Sequence, residues 1–305
     1  MKIPRGIVPA MLTIFDDNGN FDPSGQKSFT EWLIKKGVHG LAPCGSTGES
    51  PAMTDEERVL VAKTTVEAAN GRVPVFPGVI HYSEKLAIEL VLKYKDVGAD
   101  GIMVLLPYYY KPTIPSAIDF LRNISKAWGG PIMVYNNPWF AGFELSPQQI
   151  KNLADEGVVN SIKAAHGDSM QVNYTKYLCG DKVSILYGHD YSPMESFAVG
   201  ADGWLSGLPN LVPDLGVELF NAIDKDKNLE KARTAWKKIQ PIAYYFMYER
   251  KGANAEPHWL SVFKAGITML GENVGKARAP AVPLTAAELE VMKKYLKQVY
   301  PEIVK

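Results

Sequence analysis

Short apolar segments alternate with amphipathic ones along most of the chain. The apolar segments are hydrophobic nearly throughout rather than at every second position, which is typical of strands buried on both faces of a parallel sheet. Eight such segments lie at residues 6–12, 40–43, 73–79, 101–106, 131–135, 159–163, 183–187 and 203–206. Amphipathic segments with helical spacing separate them, and N-terminal signals such as the capping box of Thr54 and Glu57 mark where helices begin.

The spacing of these segments predicts the fold class. Most successive apolar segments begin roughly 25–35 residues apart, the length of one βα unit. Eight βα units in a row predict an α/β fold, the (β/α)8 TIM barrel, whereas fewer would suit an open doubly wound sheet. No Gly-x-Gly-x-x-Gly motif follows the first segment, which argues against a dinucleotide-binding sheet. Because the later pattern is helical only, we predict a barrel over residues 1–213 and a C-terminal helical region, packed on the barrel, over 214–305.

Composition and charge narrow the class of protein further. The chain has 305 residues with 33 basic and 33 acidic side chains, so a formal net charge of zero gives no indication of a nucleic acid or an anionic membrane as partner. No stretch reaches the roughly 18–20 apolar residues of a membrane span, and residues 1–6 lack the apolar run of a signal peptide. Two cysteines, Cys44 and Cys179, form no disulfide framework. We therefore expect a cytoplasmic protein.

Polar and unusual side chains follow several predicted strands. The active site of a TIM barrel lies at the C-terminal ends of its strands. This sequence places there the residues Gly45 to Gly48, Tyr108 to Tyr110, Tyr135 to Pro138, Lys163 and Gly188 to Asp190. One interpretation of Lys163 is a side chain that extends from a strand end into solvent. Inside a barrel, in contrast, desolvation favours the neutral amine of a lysine, a nucleophile that condenses with a ketone to form an imine.

Two features near this lysine fit imine chemistry. Tyr135 can carry protons to and from the carbonyl oxygen as a carbinolamine forms and collapses; a core tyrosine with a satisfied hydroxyl is the alternative. In loop 45–48 we expect the two glycines to let the backbone turn sharply and present N–H groups and two hydroxyls to an anion such as a carboxylate. An ordinary glycine-rich turn is the alternative there. The histidines match no metal-site spacing, so we expect neither a metal nor a metal-dependent class II aldolase.

Taken together, the motifs resemble one family over essentially the whole chain. Residues 45–49 (Gly-Ser-Thr-Gly-Glu), 135–138 (Tyr-Asn-Asn-Pro) and 161–168 (Ser-Ile-Lys-Ala-Ala-His-Gly-Asp) are similar, in order, to motifs of the dihydrodipicolinate synthase / N-acetylneuraminate lyase family. Residues 107–112 resemble its strand-four motif and 278–285 its C-terminal signature. The resemblance implies a (β/α)8 barrel with a C-terminal helical region that acts on small 2-oxo acids as a Schiff-base lyase, without metal or organic cofactor. It also implies a homotetramer built as a dimer of dimers.

The resemblance further implies roles for single residues. Lys163 matches the imine-forming lysine, Tyr135 the proton-relay tyrosine, and Tyr109 the tyrosine that family dimers insert into the neighbouring subunit's site. Ser46 and Thr47 match the pair that holds the 2-oxo acid carboxylate, and Ser46 also matches the relay hydroxyl between the tyrosines. The catalytic candidates are therefore Lys163, Tyr135, Ser46 and Tyr109, and the substrate-binding candidates are Gly45, Ser46, Thr47, Gly188, Leu205 and Phe140.

One position departs from the family. Dihydrodipicolinate synthases carry an arginine two residues after the proline of the Tyr-Asn-x-Pro motif, where it binds the carboxylate of aspartate semialdehyde, and this chain has Phe140 there. An aromatic side chain cannot make a bidentate carboxylate contact. We therefore expect aldol cleavage or condensation of pyruvate or a 2-oxo(-3-deoxy) acid. The alternatives are a dehydratase or deaminase of a 2-oxo-3-deoxy sugar acid or hydroxy-pyrroline carboxylate through the same imine, a true 4-hydroxy-tetrahydrodipicolinate synthase, and a non-catalytic 2-oxo acid binding protein.

Overall fold

Parallel strands form the centre of the fold. A computed structural model of the chain describes residues 3–250 and 257–303; residues 1–2 of the N-terminal segment, and 251–256 and 304–305 of the predicted helical region, lie outside the described residues. Within those described ranges, seven strands form one parallel sheet in the order β1-β7-β6-β5-β4-β3-β2. They are β1 (Gly6–Ile7), β2 (Gly78–Val79), β3 (Ile102–Leu105), β4 (Ile132–Asn136), β5 (Ser161–Ala164), β6 (Ser184–Tyr187) and β7 (Gly203–Trp204).

Residues 40–43 close this sheet into a barrel. Leu41 forms a parallel bridge with Val75, just before β2, and Ala42 forms one with Ala10, just after β1. The eight predicted β segments therefore surround one barrel, and the predicted fold class is confirmed. The second segment forms two bridges rather than a regular strand, because Pro43 has no backbone N–H with which to extend the ladder.

Helices follow the strands around the barrel. Within the described part of the chain, the α-helices are α1 (Pro23–Lys35), α2 (Asp55–Ala69), α3 (Glu84–Asp96), α4 (Ile114–Trp128), α5 (Pro138–Ala141), α6 (Pro147–Asp155), α7 (Ser169–Cys179), α8 (Pro193–Ala198), α9 (Pro213–Asp224), α10 (Leu229–Tyr244), α11 (Trp259–Met269) and α12 (Ala286–Val299). The two predicted capping boxes, Thr54 with Glu57 and Thr285 with Glu288, begin α2 and α12. Each box satisfies backbone N–H groups that the first helical turn leaves unpaired.

Apolar side chains fill the space on both sides of the strands. The larger cluster lies between the strands and the helices and includes Ile7, Val104 and Trp204. The smaller cluster lies inside the barrel, where alternate strand residues point inward. Its buried members are Val8, Ala10, Ala42, Phe76, Ile80, Met103, Leu105, Met133, Tyr135, Ala165, Leu186 and Leu205, and we call this set the inner cluster. The phenol of Tyr135 therefore belongs to the barrel interior.

The C-terminal helices pack on the barrel and on one another. α9 lies so close to β1 that a Cβ added at Gly216 would be 3.5 Å from Ile7 Cγ2, and α10 contacts both α9 and α12. Because α9 begins at Pro213 and contacts the barrel directly, the division between residues 213 and 214 stays a prediction.

None of the helices in residues 3–250 and 257–303 combines the length and the apolar character that crossing a bilayer requires.

Candidate active site

Adjacent strands bring Lys163 and Tyr135 together. Lys163 on β5 pairs in register with Tyr135 on β4, and Lys163 Nζ lies 4.0 Å from the centroid of the Tyr135 ring. Both side chains are only 4% exposed. The Tyr135 hydroxyl accepts a 2.9 Å hydrogen bond from Asn137 Nδ2, so its own proton is available to a further acceptor. An amine and a phenol thus share one buried space.

The surroundings of Lys163 leave its amine without an acceptor. Among the residues that the structure describes, no hydrogen bond or ion pair reaches Lys163 Nζ, and its polar contact is the face of the Tyr135 ring. No oxygen atom of the described residues therefore fixes the position of this amine. Gly188, directly after β6, leaves room for the lysine stem, because a Cβ there would lie 2.8 Å from Lys163 Cγ. Lys163 does not extend into solvent.

A second buried lysine shows the contrast. Lys264 on α11 is 2% exposed, and its Nζ lies 2.8 Å from the Thr13 carbonyl oxygen, 2.9 Å from that of Lys276 and 2.9 Å from Glu49 Oε1. Burial lowers the pKa of Lys264, and the Glu49 carboxylate acts in the opposite direction. Two carbonyl oxygens accept hydrogen bonds from this nitrogen, and the Glu49 carboxylate lies close enough to pair with its charge. Lys264 is therefore held in place by its partners, whereas Lys163 has none of these acceptors among the described residues.

Loop 45–48 offers a set of backbone donors at the end of the closing segment 40–43. Among the described residues, none accepts a hydrogen bond from the backbone N–H groups of residues 45–48, so these donors are available to an anion. The loop is closed by hydrogen bonds from Glu49 N to the Ser46 carbonyl, at 3.1 Å, and from Ser50 N to the Gly45 carbonyl, at 3.2 Å. Thr47 is buried and Ser46 half-buried beside these donors. The loop has the groups that a carboxylate requires.

The residues that turn this loop differ from the predicted ones. The left-handed φ angles belong to Cys44, at 58°, and Glu49, at 56°, and not to the two glycines. The prediction that the glycines supply the sharp turn is therefore wrong. Gly48 is needed for close approach instead, because a Cβ there would lie 2.9 Å from the Met11 carbonyl oxygen.

The remaining predicted site residues lie at different depths. Leu205 is fully buried in the inner cluster, to which Tyr135 also belongs, rather than on an open surface. Phe140 is 46% exposed, at the start of α5. Tyr109 is 71% exposed and contacts Tyr110, with 5.0 Å between ring centroids. The structure thus gathers Lys163 and Tyr135 with the interior positions, while Tyr109 faces outward from its own barrel.

A cavity of about 380 Å³ opens beside loop 45–48. Its walls are mostly apolar or aromatic, with Pro51, Ala52, Ile80, Leu105, Tyr108, Phe140, Trp259, Leu260, Ala279, Pro280 and Ala281, and its polar members are Ser46, Glu49, His258 and Arg278. Ile80 and Leu105 belong to the inner cluster as well, so the cavity adjoins the space around Tyr135. The Arg278 guanidinium donates to both carboxylate oxygens of Glu57, at 2.9 and 2.5 Å. This cation is therefore engaged by a carboxylate of the chain itself.

Two titratable residues after β6 were not singled out as active-site candidates from the sequence. Burial, with Lys163 and His166 nearby, lowers the pKa of His189 to about 4. Burial also raises the pKa of Asp190 to about 6, and its Oδ1 finds no hydrogen-bond partner among the described residues. Their position after a strand end was the available signal, but burial could not be inferred from it.

Within residues 3–250 and 257–303, no group of three or more His, Cys, Asp or Glu side chains is arranged to hold a metal ion.

Known proteins share both the sequence pattern and this architecture. Residues 3–299 match the model of the dihydrodipicolinate synthetase family. This chain belongs to that family. Its relatives include the 4-hydroxy-tetrahydrodipicolinate synthase of Thermodesulfovibrio yellowstonii, 32% identical over 293 residues that cover 96% of this chain and 97% of that protein. Members of the family are lyases of the class I aldolase type, and this chain is accordingly an enzyme of that class.

Solved structures of the dihydrodipicolinate synthetase family superpose on the chain over nearly its full length. YagE, a prophage protein of the dihydrodipicolinic acid synthase family from E. coli K12 in complex with pyruvate, has a TM-score of 0.89 and 29% identity and covers 97% of this chain and 98% of its own. A monomeric dihydrodipicolinate synthase variant has a TM-score of 0.87 and 29% identity, covering 96% of both chains. The TIM barrel with C-terminal helices is thus common to this chain and these family members.

Proposed function

We propose that this protein is a Schiff-base lyase in which Lys163 condenses with pyruvate or another 2-oxo acid. The observation that carries the proposal is the buried Lys163 amine, unpaired among the described residues and 4.0 Å from the centroid of the Tyr135 ring. The fold, the family and the pyruvate complex of YagE agree with this chemistry.

In the proposed reaction, Lys163 Nζ attacks the C2 carbonyl and a C–N bond forms. The C2 oxygen takes up protons and leaves as water, and a protonated imine remains. Tyr135 gives and takes these protons, because its hydroxyl keeps a free proton while Asn137 holds its oxygen. The imine then accepts the electron pair of a bond at C3, which is the C3–C4 bond in aldol cleavage and a C3–H bond in condensation.

The 2-oxo acid carboxylate is proposed to bind at loop 45–48. The backbone N–H groups of the loop lie next to the Ser46 and Thr47 hydroxyls, and together they form a compact set of donors for one carboxylate. A carboxylate held there, with C2 at Lys163, fixes the orientation of the substrate and points C3 away from the loop.

The second substrate, or the distal half of a single one, is proposed to lack a carboxylate. Phe140 lines the cavity where the synthases carry arginine, and the walls around it are mostly apolar. Arg278, which also lines the cavity, is engaged by Glu57. A carboxylate buried against aromatic rings without a partner would be unfavourable by several kcal/mol. An uncharged aldehyde therefore fits this cavity better than aspartate semialdehyde does.

The chain is also proposed to act as a homotetramer in the cytoplasm. Tyr109, Tyr110 and Tyr82 form an exposed aromatic cluster, with 5.0 and 6.2 Å between successive ring centroids. Exposed clusters of large apolar side chains are frequent in protein interfaces. Burial of Tyr109 in a neighbouring subunit would explain why this cluster lies on the surface of one chain.

Borohydride trapping tests the proposed function. Pyruvate and borohydride should add one lactyl group to the peptide that contains Lys163, because borohydride reduces the imine to a stable amine. Lys163→Arg should form no adduct, since a guanidinium is always protonated and is no nucleophile. Lys85→Arg is the control, because Lys85 lies on the surface with its side chain 83% exposed and its replacement should leave the adduct in place. An adduct on another lysine, or none, would overturn the proposal, and the absence of any adduct would favour a non-catalytic binding protein.

A further inference from the structure

We propose that the buried ion pair of Lys264 and Glu49 positions the anion-binding loop 45–48 and that Lys264 is a positioning residue for the 2-oxo acid carboxylate. This inference rests on the proposed function, because it takes the loop as the site of that carboxylate. Neither residue is needed to form the imine itself. Both are almost fully buried, with side chains 2% exposed.

Lys264 holds the C-terminal end of the loop along two routes. Directly, its Nζ lies 2.9 Å from Glu49 Oε1. Indirectly, it donates to the Thr13 carbonyl at 2.8 Å, and the Thr13 hydroxyl donates to the Gly48 carbonyl at 2.6 Å. The peptide between Gly48 and Glu49 is therefore fixed on both sides. It is the peptide that directly follows the donors of the loop.

The backbone at Glu49 requires such support. Its φ of 56° is left-handed, a conformation that a residue with a Cβ adopts only when its surroundings enforce it. The carboxylate is bound by two separate segments, since Oε1 meets Lys264 of α11 and Oε2 accepts a 2.7 Å hydrogen bond from Arg278 N. Helix α11 and the chain near residue 278 thus clamp the turn that closes loop 45–48.

Charge gives Lys264 a second effect on the loop. Glu49 places a negative charge next to donors that are meant for a carboxylate, and like charges at close range repel strongly in a buried site. The positive charge of Lys264 compensates the negative charge of Glu49 within the buried site. Without the ammonium ion, the same glutamate would both release the turn and oppose the binding of an anionic substrate.

Pyruvate alone is a sufficient probe, because the rate of borohydride trapping at Lys163 gives two separate readouts. The pyruvate concentration for half-maximal rate reports carboxylate binding, and the maximal rate reports imine formation. Lys264→Met should raise the half-saturating concentration by roughly tenfold or more while the maximal rate falls by less than about threefold, since Lys163 and Tyr135 keep their contacts.

Two further variants separate positioning from stability. Lys264→Met combined with Glu49→Gln removes the unpaired charge, so it should regain melting temperature while the half-saturating concentration stays raised by about threefold or more. Thr13→Val removes only the hydroxyl that holds Gly48 and should raise that concentration by roughly threefold to tenfold. Thr65→Val is its matched control: Thr65 is equally buried and donates to the Val61 carbonyl at 2.9 Å, but it lies in the middle of α2. The control should stay within about twofold of wild type.

Each outcome decides between the alternatives. A double variant with the half-saturating concentration of wild type, or Thr13→Val equal to Thr65→Val, would overturn the inference and leave the ion pair a purely structural role. If Lys264→Met alone fails to fold, the double variant and Thr13→Val carry the decision. Wild-type protein that traps no pyruvate would overturn the proposed function and this inference together, whereas normal trapping in wild type and in all variants would overturn the inference alone.

Discussion

The neighbours His189 and Asp190 should make stability respond to pH in opposite directions. The pKa of His189 falls from 6.5 to about 4, so this residue stabilises the fold above pH 6.5, and its contribution is lost as the pH falls through about 4. The pKa of Asp190 rises from 3.8 to about 6, so its contribution is complete below pH 3.8 and is lost as the pH rises through about 6. Burial is the main cause of both shifts.

The two contributions are of similar size. Each pKa unit corresponds to about 1.4 kcal/mol, so either residue changes the free energy of unfolding by about 3 kcal/mol across its range. Between pH 7 and pH 4 the two changes largely cancel in wild type. In Asp190→Asn only the His189 contribution remains, so its free energy of unfolding should fall by about 3 kcal/mol from pH 7 to pH 4 relative to wild type. In His189→Gln only the Asp190 contribution remains, so the free energy of unfolding should rise over the same range by nearly as much.

Urea unfolding followed by tryptophan fluorescence measures these differences at pH 7, 5.5 and 4. Every other titrating group is common to wild type and both variants, so it cancels when their pH dependences are compared. Glutamine at position 189 keeps an acceptor for the backbone N–H of Asp190, which donates to His189 Nδ1 at 3.0 Å in the wild type. Parallel pH dependences in wild type and both variants would refute the desolvation of these two half-buried side chains.

Four further outcomes test the site. Tyr135→Phe should slow turnover by roughly two to four orders of magnitude while the Lys163 adduct still forms; unchanged turnover would assign Tyr135 to packing. Gly188→Ala should slow adduct formation by about tenfold or more, because the new Cβ would lie 2.8 Å from Lys163 Cγ, and a wild-type rate would contradict this geometry. Wild type should turn over pyruvate with aspartate semialdehyde less efficiently than with neutral aldehydes such as glycolaldehyde, and Phe140→Arg should narrow the gap; aspartate semialdehyde as the best partner would restore the synthase assignment. Light scattering should show a tetramer, or at least a dimer, that Tyr109→Ala weakens, and an active monomer would exclude a role for Tyr109 across subunits.

The fold could be predicted because its signals are local. Buried parallel strands require continuous apolar segments, and helices begin at capping boxes that two residues define, as Thr54 and Glu57 do for α2. The rule that a TIM-barrel site lies at the C-terminal strand ends then placed Lys163 and Tyr135 near each other. The register of β4 and β5 shows them side by side.

Features that depend on contacts across the chain could not be predicted in this way. The glycines of loop 45–48 suggested a turn made by glycine, yet Cys44 and Glu49 adopt the left-handed angles. Glu49 in turn forms an ion pair with Lys264 on α11, a partner more than two hundred residues away in the sequence. The apolar segment around Lys264 is consistent with burial, but no local pattern shows that its partner is Glu49.

Partners rather than burial alone decide what each of the two buried lysines can do. Lys163 and Lys264 are both at most 4% exposed, and both stand over an aromatic ring, that of Tyr135 at 4.0 Å and that of Phe15 at 4.7 Å. Lys264 also donates hydrogen bonds to two carbonyl oxygens and forms an ion pair with a carboxylate, and these contacts hold its nitrogen in place. Lys163 meets no such acceptor in the described part of the chain, and a phenol with a free proton lies beside it. A desolvated amine can attack a carbonyl only where such acceptors are absent, so we expect Lys264 to serve the loop and Lys163 to serve the chemistry.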